Sequence, residues 1–135
     1  MAGQSIMLIE DNPDHVLLIQ AALEDCRHAP HLQVLADGEQ ALRYIQASTT
    51  LGPGAGLPRL VLLDLKLPKV DGLDILRAMR ASSVWREVPV VVISTSNRPA
   101  DVEACYASGA SAYLAKIGSP ETFASRVCAT VSRWL

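Results

Sequence analysis

The sequence predicts an α/β domain in which a five-stranded parallel sheet carries helices on both faces. Five short apolar runs alternate along the chain with five segments of helical periodicity, an order typical of parallel strands joined by helical crossovers. Two of the runs, at residues 60–63 and 90–93, are apolar without interruption, as expected for strands that are buried on both faces. The length of 135 residues suits one domain of this class.

The first strand is predicted at residues 5–9 and the first helix at residues 13–27. Asn12 is a good N-cap because its side chain can accept a hydrogen bond from a free amide of the first turn. Pro13 fits the first helical position, where no amide hydrogen is needed. Pro30 follows the helical pattern and separates it from the second strand.

The second strand is predicted at residues 31–36 and the second helix at residues 39–47. Asp37-Gly38 is a typical turn between them. Residues 48–57 are rich in Ser, Thr, Gly and Pro, so we expect a flexible surface loop there. The uninterrupted run of the third strand follows this loop.

The second half of the chain repeats the alternation, with clear boundary residues. Pro68 and the pair Asp71-Gly72 require a loop after the third strand. Gly109 is a typical C-cap glycine, and Ser119-Pro120 is a typical helix start. The predicted elements are a helix at 72–82, a strand at 89–93, a helix at 98–108, a strand at 111–115 and a helix from 119 onwards.

The composition excludes several classes of protein. Half of the residues are hydrophobic, 19% are charged and the net charge is −2, so a full core is expected and disorder is not. Without a basic patch, neither nucleic acid nor an acidic membrane surface is an expected partner. No apolar segment approaches the ~20 residues of a membrane span, and the N-terminus lacks the pattern of a signal peptide. We therefore expect a cytoplasmic protein.

Cysteine and histidine, which often carry chemistry, form no motif here. The cysteines are scattered and odd in number, so we expect all of them to be reduced core residues, with redox sensing as the alternative. The histidines lack the spacing of a zinc site and are expected at the surface. The cysteines are Cys26, Cys105 and Cys128, and the histidines are His15, His28 and His31.

Polar residues follow the predicted strands at the point where each strand ends. In a parallel sheet these ends meet at one edge, where open α/β folds bind their ligands. Crowded carboxylates repel one another, and a hard divalent cation such as Mg²⁺ relieves that repulsion with oxygen ligands. Asp64, held by a buried strand, could then attack a phosphorus atom and form an aspartyl phosphate. The residues at this edge are Glu10, Asp11, Asp64, Ser94, Thr95 and Lys116.

Together these motifs resemble the receiver domain of two-component response regulators over essentially the whole chain. The resemblance implies a flavodoxin-like (βα)5 fold with strand order 2-1-3-4-5 and a single receiver domain at residues 1–135 without an output domain. The chain most resembles the single-domain regulators that accompany bacterial phytochrome histidine kinases. The motifs are Ile9-Glu10-Asp11-Asn12-Pro13, Leu63-Asp64, Leu67-Pro68 with Asp71-Gly72, the loop before Pro58-Arg59, Ser94-Thr95-Ser96-Asn97 with Asp101, Gly109-Ala110 and Tyr113 with Lys116.

The resemblance implies a Mg²⁺-dependent phosphoacceptor, Asp64. Asp11 is expected to bind Mg²⁺ directly and Glu10 through a water molecule, and Asp64 is expected to be a metal ligand as well as the phosphoacceptor. The backbone carbonyl group of Lys66 is expected to complete the protein ligands. The side chain of Lys66 is either a solvent-facing lysine or a group that crowds the water needed for dephosphorylation.

The resemblance also implies a switch. Lys116 is expected to contact the phosphoryl group, and Ser94 is expected to move towards it as the switch hydroxyl. Thr95 is its neighbour, and a one-residue shift would exchange their roles. Tyr113 is expected to be the switch aromatic, which turns inward when Ser94 moves.

The same resemblance implies partners rather than substrates. A sensor histidine kinase, with a bacteriophytochrome as the specific candidate, donates the phosphoryl group. The output is a changed surface of the fourth helix, fifth strand and fifth helix, which contacts a downstream protein, a phosphotransfer partner or a second copy in a homodimer. The protein is not an enzyme beyond its own phosphorylation and dephosphorylation.

One departure from the family pattern keeps two other functions open. Ile117 stands where the family usually has a proline joined by a cis bond; a cis bond before another residue costs about 3 kcal/mol, so we expect a trans bond, or else a strained cis one. A pseudo-receiver that only docks partners is one alternative. A small-molecule phosphatase is the other, although Lys66 stands where dehalogenase-type phosphatases carry a second aspartate.

Overall fold

In the computed structural model, which describes residues 5–26, 30–51 and 57–135, strands and helices alternate as predicted. No helix in these ranges is both long and apolar enough to cross a membrane. The elements are β1 Ser5–Ile9, α1 Pro13–Glu24, β2 His31–Leu35, α2 Gly38–Leu51, β3 Leu60–Asp64, α3 Gly72–Ala81, β4 Val90–Ser94, α4 Pro99–Ala107, β5 Ala112–Ala115 and α5 Pro120–Val131.

The five strands form one parallel sheet with the order β2-β1-β3-β4-β5. This confirms the predicted fold class and strand order. Ile9 lies opposite both Leu35 and Leu63, and Asp64 lies opposite Ile93. Because the strands are in register at their carboxyl ends, the residues that follow β1, β3, β4 and β5 come together at one edge of the sheet.

Apolar side chains form two cores, one on each face of the sheet. Along β3, Val61 and Leu63 belong to one core and Leu60 and Leu62 to the other, as the two-residue period of a strand requires. Helices α2, α3 and α4 contribute to the first core, and α1 and α5 contribute to the second. All five residues of β3 are buried, so the strand that ends at Asp64 is fixed from both sides.

The predicted helix starts are confirmed by their hydrogen bonds. The side chains of Asn12, Asp71 and Ser119 each accept a hydrogen bond from a backbone amide in the first turn of α1, α3 and α5. Gly109 follows α4 with φ of 105°, as expected for a C-cap glycine. Local capping chemistry therefore places these boundaries.

Two helix ends differ from the prediction by more than one residue. Helix α2 continues to Leu51, four residues beyond the predicted end at residue 47, and Ser48 in this extension is buried. Ser and Thr cost less than ~0.7 kcal/mol each in a helix, so they do not stop it as Gly and Pro do. Helix α1 ends earlier than predicted, at Glu24 with Asp25 as its C-cap; the predicted end at residue 27, with His28 and Ala29, lies outside the described residues.

The expectation that all three cysteines are reduced is wrong for two of them. Cys26, just after α1, is bonded to Cys128 of α5, with their Cα atoms 5.6 Å apart. Because α1 and α5 pack side by side on the same face of the sheet, two residues 102 positions apart in the chain become neighbours. Cys105 is free and buried, and burial raises the pKa of its thiol.

The cysteine arrangement predicts a specific thiol count. The thiol reagent DTNB should titrate one thiol per chain in denaturant before reduction and three after it, because only Cys105 is free. In the folded protein Cys105 should react far more slowly, since it is buried and reaction requires the thiolate. A Cys105→Ala variant is the control and should show no thiol before reduction. Three reactive thiols in the unreduced, air-exposed chain would contradict the disulfide.

Candidate functional site

Three charged groups meet at the carboxyl edge of the sheet, each supplied by a different strand end. Glu10 follows β1, Asp64 ends β3 and Lys116 follows β5. The side chain of Glu10 is 1% exposed, and those of Asp64 and Lys116 are 9% exposed. The ammonium of Lys116 lies 2.6 Å from Glu10 Oε1 and 3.2 Å from Asp64 Oδ2. The structure thus brings together Asp64, which is the predicted phosphoacceptor and a predicted metal ligand, with the predicted metal ligand Glu10 and the predicted phosphate-contacting Lys116.

The described part of the chain contains no cis peptide bond, so the bond between Lys116 and Ile117 is trans. This agrees with the first of the two expectations for Ile117. Lys116 nevertheless reaches Asp64, and its backbone amide donates a hydrogen bond to the carbonyl oxygen of Ser94. The departure from the family pattern at Ile117 therefore leaves the lysine at the site.

Both oxygens of Asp64 are hydrogen-bonded. Oδ2 accepts from Lys116, and Oδ1 accepts from the backbone amide of Lys66 at 3.1 Å. The side chain of Lys66 is exposed. These two bonds fix the orientation of the carboxylate at the end of a rigid strand.

Gly72 allows the chain to pass close behind Asp64. A Cβ atom on Gly72 would lie 2.7 Å from the carbonyl oxygen of Asp64 and 2.7 Å from the Cα atom of Leu65. The amide of Gly72 donates a hydrogen bond to the carbonyl of Leu65. Any larger residue would push the start of α3 away from the end of β3.

Burial and like charge decide the electrostatics of the site. The pKa of Glu10 is raised to about 7, chiefly by burial and also by the neighbouring Asp64 carboxyl, whereas Lys116 opposes the rise. Burial, together with the charge of Lys116, lowers the pKa of His15. One ammonium thus lies between two buried carboxylates, and an added cation would favour the ionised form of Glu10.

Among the described residues, Glu10, His15 and Asp64 have ligand atoms within 4.8 Å of one another. Asp11, the predicted direct Mg²⁺ ligand, is exposed at the same edge, and its charge weakly opposes the fall in the pKa of His15. Two buried carboxylates with an exposed third beside them suit a hard cation that keeps some of its water. The residues present therefore fit a Mg²⁺ ion.

The two neighbouring hydroxyls at the end of β4 have different surroundings. Ser94 is fully buried, and its hydroxyl oxygen accepts a hydrogen bond from the amide of Ser96 at 3.1 Å. Thr95 is exposed. The sequence leaves open which of Ser94 and Thr95 is the switch hydroxyl. Ser94 is the one that lies inside the protein, next to the strand that carries Asp64.

Tyr113 is tied to the loop that follows β4. Its hydroxyl donates a hydrogen bond to the carbonyl oxygen of Ser96, and the hydroxyl of Ser96 donates to Asp101 of α4. Arg98 also contacts Asp101, at 3.2 Å. The hydrogen bond from Ser96, followed by that from Arg98, lowers the pKa of Asp101. A continuous set of hydrogen bonds therefore joins Ser94, through Ser96, to Tyr113 and α4.

A pocket of about 500 Å³ opens between the loops that follow β3 and β4. Three cationic residues line it, together with two acidic residues, Ser94 and Ser96. Because Ser94 is part of its lining, the pocket lies next to the sheet edge that carries Asp64. The charged residues that line it are Lys66, Lys69, Asp71, Arg98 and Asp101.

The sequence interpretation missed two residues of the site. His15 was expected at the surface but contacts Lys116 and Glu10. Its only sequence signal is its place in the first turn of α1, directly after the end of β1. Ser96 was noted as part of a motif, but its link between Ser94 and Tyr113 depends on the loop conformation, which the sequence does not display.

Comparison with known proteins gives one family over nearly the whole chain. The model of the response regulator receiver domain matches residues 6–128. The probable methanogenesis regulatory protein FilR2 of Methanothrix harundinacea is 39% identical over 130 residues, which is 96% of this chain and 83% of that protein. The response regulator Rcp1 of Synechocystis sp. is 32% identical over 130 residues, covering 96% and 88%.

Solved structures agree with these similarities. The phosphorylated cyanobacterial phytochrome response regulator RcpA has a TM-score of 0.85 and 31% identity, covering 97% of this chain and 93% of that one. The Mn²⁺-bound form of Rcp1 has a TM-score of 0.84 and 32% identity, covering 98% and 94%. The resemblance to phytochrome-associated response regulators that the sequence predicted is confirmed.

The close packing at Gly72 predicts that Gly72→Ala destabilises the protein by about 1–3 kcal/mol, the usual cost of overpacking a buried site. Urea unfolding monitored by circular dichroism measures this. Gly118→Ala is the control, because a Cβ atom there meets only Thr122, at 3.7 Å, although its φ of +85° adds backbone strain. If Gly72→Ala costs less than about 1 kcal/mol, close approach at Asp64 is not what requires glycine.

Proposed function

Because the chain belongs to the response regulator receiver family, we propose that it is a signalling domain that accepts a phosphoryl group on Asp64 from a sensor histidine kinase. The observation that carries this is the position of Asp64, which ends a fully buried strand 3.2 Å from the Lys116 ammonium and beside buried Glu10. The protein is a phosphoacceptor and not a turnover enzyme.

In the proposed transfer, a carboxylate oxygen of Asp64 attacks the phosphorus of a phosphohistidine on the kinase. A P–O bond forms as the P–N bond breaks, and the electron pair of that bond returns to the imidazole of the kinase, which takes up a proton. The Lys116 ammonium lies where negative charge collects on the phosphoryl oxygens. The hydrogen bond from the Lys66 amide keeps the carboxylate oriented during the attack.

We propose that Mg²⁺ is the cofactor. Asp11, Asp64 and the backbone carbonyl of Lys66 would hold it, with Glu10 acting directly or through water. When bound, the ion supplies positive charge to the transferring phosphoryl group. The raised pKa of Glu10, to about 7, supports this assignment, because burial and the neighbouring Asp64 carboxyl disfavour its ionised form and a bound cation would favour it. The Mn²⁺-bound form of the relative Rcp1 is consistent with a divalent cation here.

The proposed output follows the hydrogen bonds that begin at Ser94. A phosphoryl group adds roughly two negative charges and strong acceptors, which attract the Ser94 hydroxyl. Ser94 currently accepts from the Ser96 amide, and Ser96 accepts from Tyr113, so movement of Ser94 releases or redirects Tyr113. The surface of α4, β5 and α5 changes as a result.

We propose that this changed surface acts through protein contacts in the cytoplasm. Candidate partners are a downstream protein, a phosphotransfer protein and a second copy of the chain in a homodimer. Tyr106 of α4 is 49% exposed and provides an aromatic contact on this surface. The similarity to RcpA supports a bacteriophytochrome as the kinase.

The phosphoacceptor role is tested by intact mass spectrometry after incubation with Mg²⁺ and acetyl phosphate. We expect one phosphoryl adduct on the native chain, none on Asp64→Asn, and none when EDTA removes the metal. The reason is that Asp64 is the nucleophile and the buried site needs a further cation. Lys116→Met should form much less adduct, because the charge that stabilises the phosphoryl oxygens is lost.

An absent adduct, under conditions that label another receiver domain, would overturn this proposal. The docking-only alternative would then be favoured. An adduct that persists on Asp64→Asn would instead show that a different residue is modified.

The position of Lys66 predicts an effect on the lifetime of the phosphorylated state. Its exposed side chain lines the pocket beside the site, so it can crowd the water that hydrolyses the aspartyl phosphate. Lys66→Asn should therefore lose phosphate faster, by a few-fold, when the adduct is followed over time. Arg77→Gln removes an exposed cation of α3 that does not line this pocket, so it is the control and should decay as the native chain does. Equal decay rates for Lys66→Asn and the native chain would leave Lys66 as a solvent-facing lysine.

A further inference from the structure

His15 contacts the centre of the site from the first turn of α1. Its Nδ1 atom lies 2.8 Å from the Lys116 ammonium and 3.5 Å from Glu10 Oε1. Its side chain is 32% exposed, so the ring borders solvent on one side and the buried charges on the other. The imidazole of His15 therefore contacts the ammonium of Lys116 directly.

The ammonium of Lys116 has three acceptors for its three N–H groups. They are Glu10 Oε1 at 2.6 Å, His15 Nδ1 at 2.8 Å and Asp64 Oδ2 at 3.2 Å. An ammonium only donates hydrogen bonds, so Nδ1 of His15 must be the acceptor and Nε2 must carry the proton. His15 is therefore a neutral imidazole that completes the hydrogen bonding of a nearly buried cation.

We propose that His15 is a positioning residue for Lys116, holding its ammonium on the Glu10 side of the site and away from Asp64. The distances support this, since Glu10 and His15 lie closer to the ammonium than the nucleophile does. His15 thereby leaves Asp64 with the longest of the three hydrogen bonds from Lys116 in the unphosphorylated protein.

The functional consequence rests on the proposed phosphoacceptor role of Asp64. When Lys116 turns to a phosphoryl oxygen carried by Asp64, it stays on the Asp64 side of the site and must give up one of the two acceptors on the other side, Glu10 or His15. Giving up a neutral imidazole costs less than giving up the Glu10 carboxylate, because hydrogen bonds between charged groups are the stronger ones. His15 therefore stabilises the unphosphorylated state relative to the phosphorylated one.

The geometry is tested without any phosphoryl group. Nitrogen-15 NMR of the histidine ring should show the Nε2–H tautomer of His15, with Nδ1 accepting a hydrogen bond at neutral pH. In Lys116→Met the Nδ1 resonance should move towards that of a free imidazole nitrogen, because its donor is gone. Protonated Nδ1 in the native chain, or an unchanged Nδ1 resonance in Lys116→Met, would overturn the proposal.

The functional consequence is tested with Mg²⁺ and beryllofluoride, a mimic of the phosphoryl group, by isothermal titration calorimetry. His15→Leu removes the acceptor and should bind beryllofluoride roughly 3- to 10-fold more tightly. The expected change is smaller than for a fully buried hydrogen bond to a charged group, because His15 is partly exposed. His15→Asn places an amide oxygen near Nδ1 and should return the affinity to within about twofold of the native value. Unchanged or weaker binding by His15→Leu would overturn the consequence.

Two controls separate the possible failures. Leu17→Ala alters an exposed residue of the same helix and should bind as the native chain does, and urea unfolding shows whether His15→Leu remains folded. If the native chain binds no beryllofluoride, the proposed function fails and the consequence drawn from it fails too. The NMR result still decides whether His15 positions Lys116.

Discussion

The site depends on one buried ammonium that joins three strand ends. Lys116 follows β5, whereas its partners Asp64 and Glu10 belong to β3 and to the end of β1, so its side chain must cross the end of β4. The long, flexible stem of lysine makes this reach possible. The order of the strands, their common register and the burial of β3 all contribute to a single result, which is a cation placed between two carboxylates that would otherwise repel each other.

Much of this arrangement could be predicted from the sequence because the signals that specify it are local. Apolar runs identify the strands, Asn12, Asp71 and Ser119 cap helices as side chains of their type commonly do, and parallel strands must end at one edge. The meeting of Asp64 with Lys116 followed from topology alone. The extension of α2 did not, because Ser and Thr are compatible with both a helix and a loop.

Contacts between distant parts of the chain could not be predicted in the same way. Cys26 and Cys128 are 102 residues apart, and His15 and Lys116 are 101 residues apart. Both pairs depend on how far α1 lies over the sheet and on which residues it presents there, which no single segment encodes. The hydrogen bonds of Ser96 likewise depend on the path of the loop after β4.

The bond between Cys26 and Cys128 also decides how the molecule responds to mechanical tension. A force applied at the two ends of the chain passes through this bond and bypasses the residues between the cysteines, which include four of the five strands. Only the first strand, the first helix and the last few residues can lengthen. The strands β2 to β5 are therefore shielded from load while the disulfide is intact. In a single-molecule pulling measurement the chain should reach its full extended length only after the disulfide is reduced.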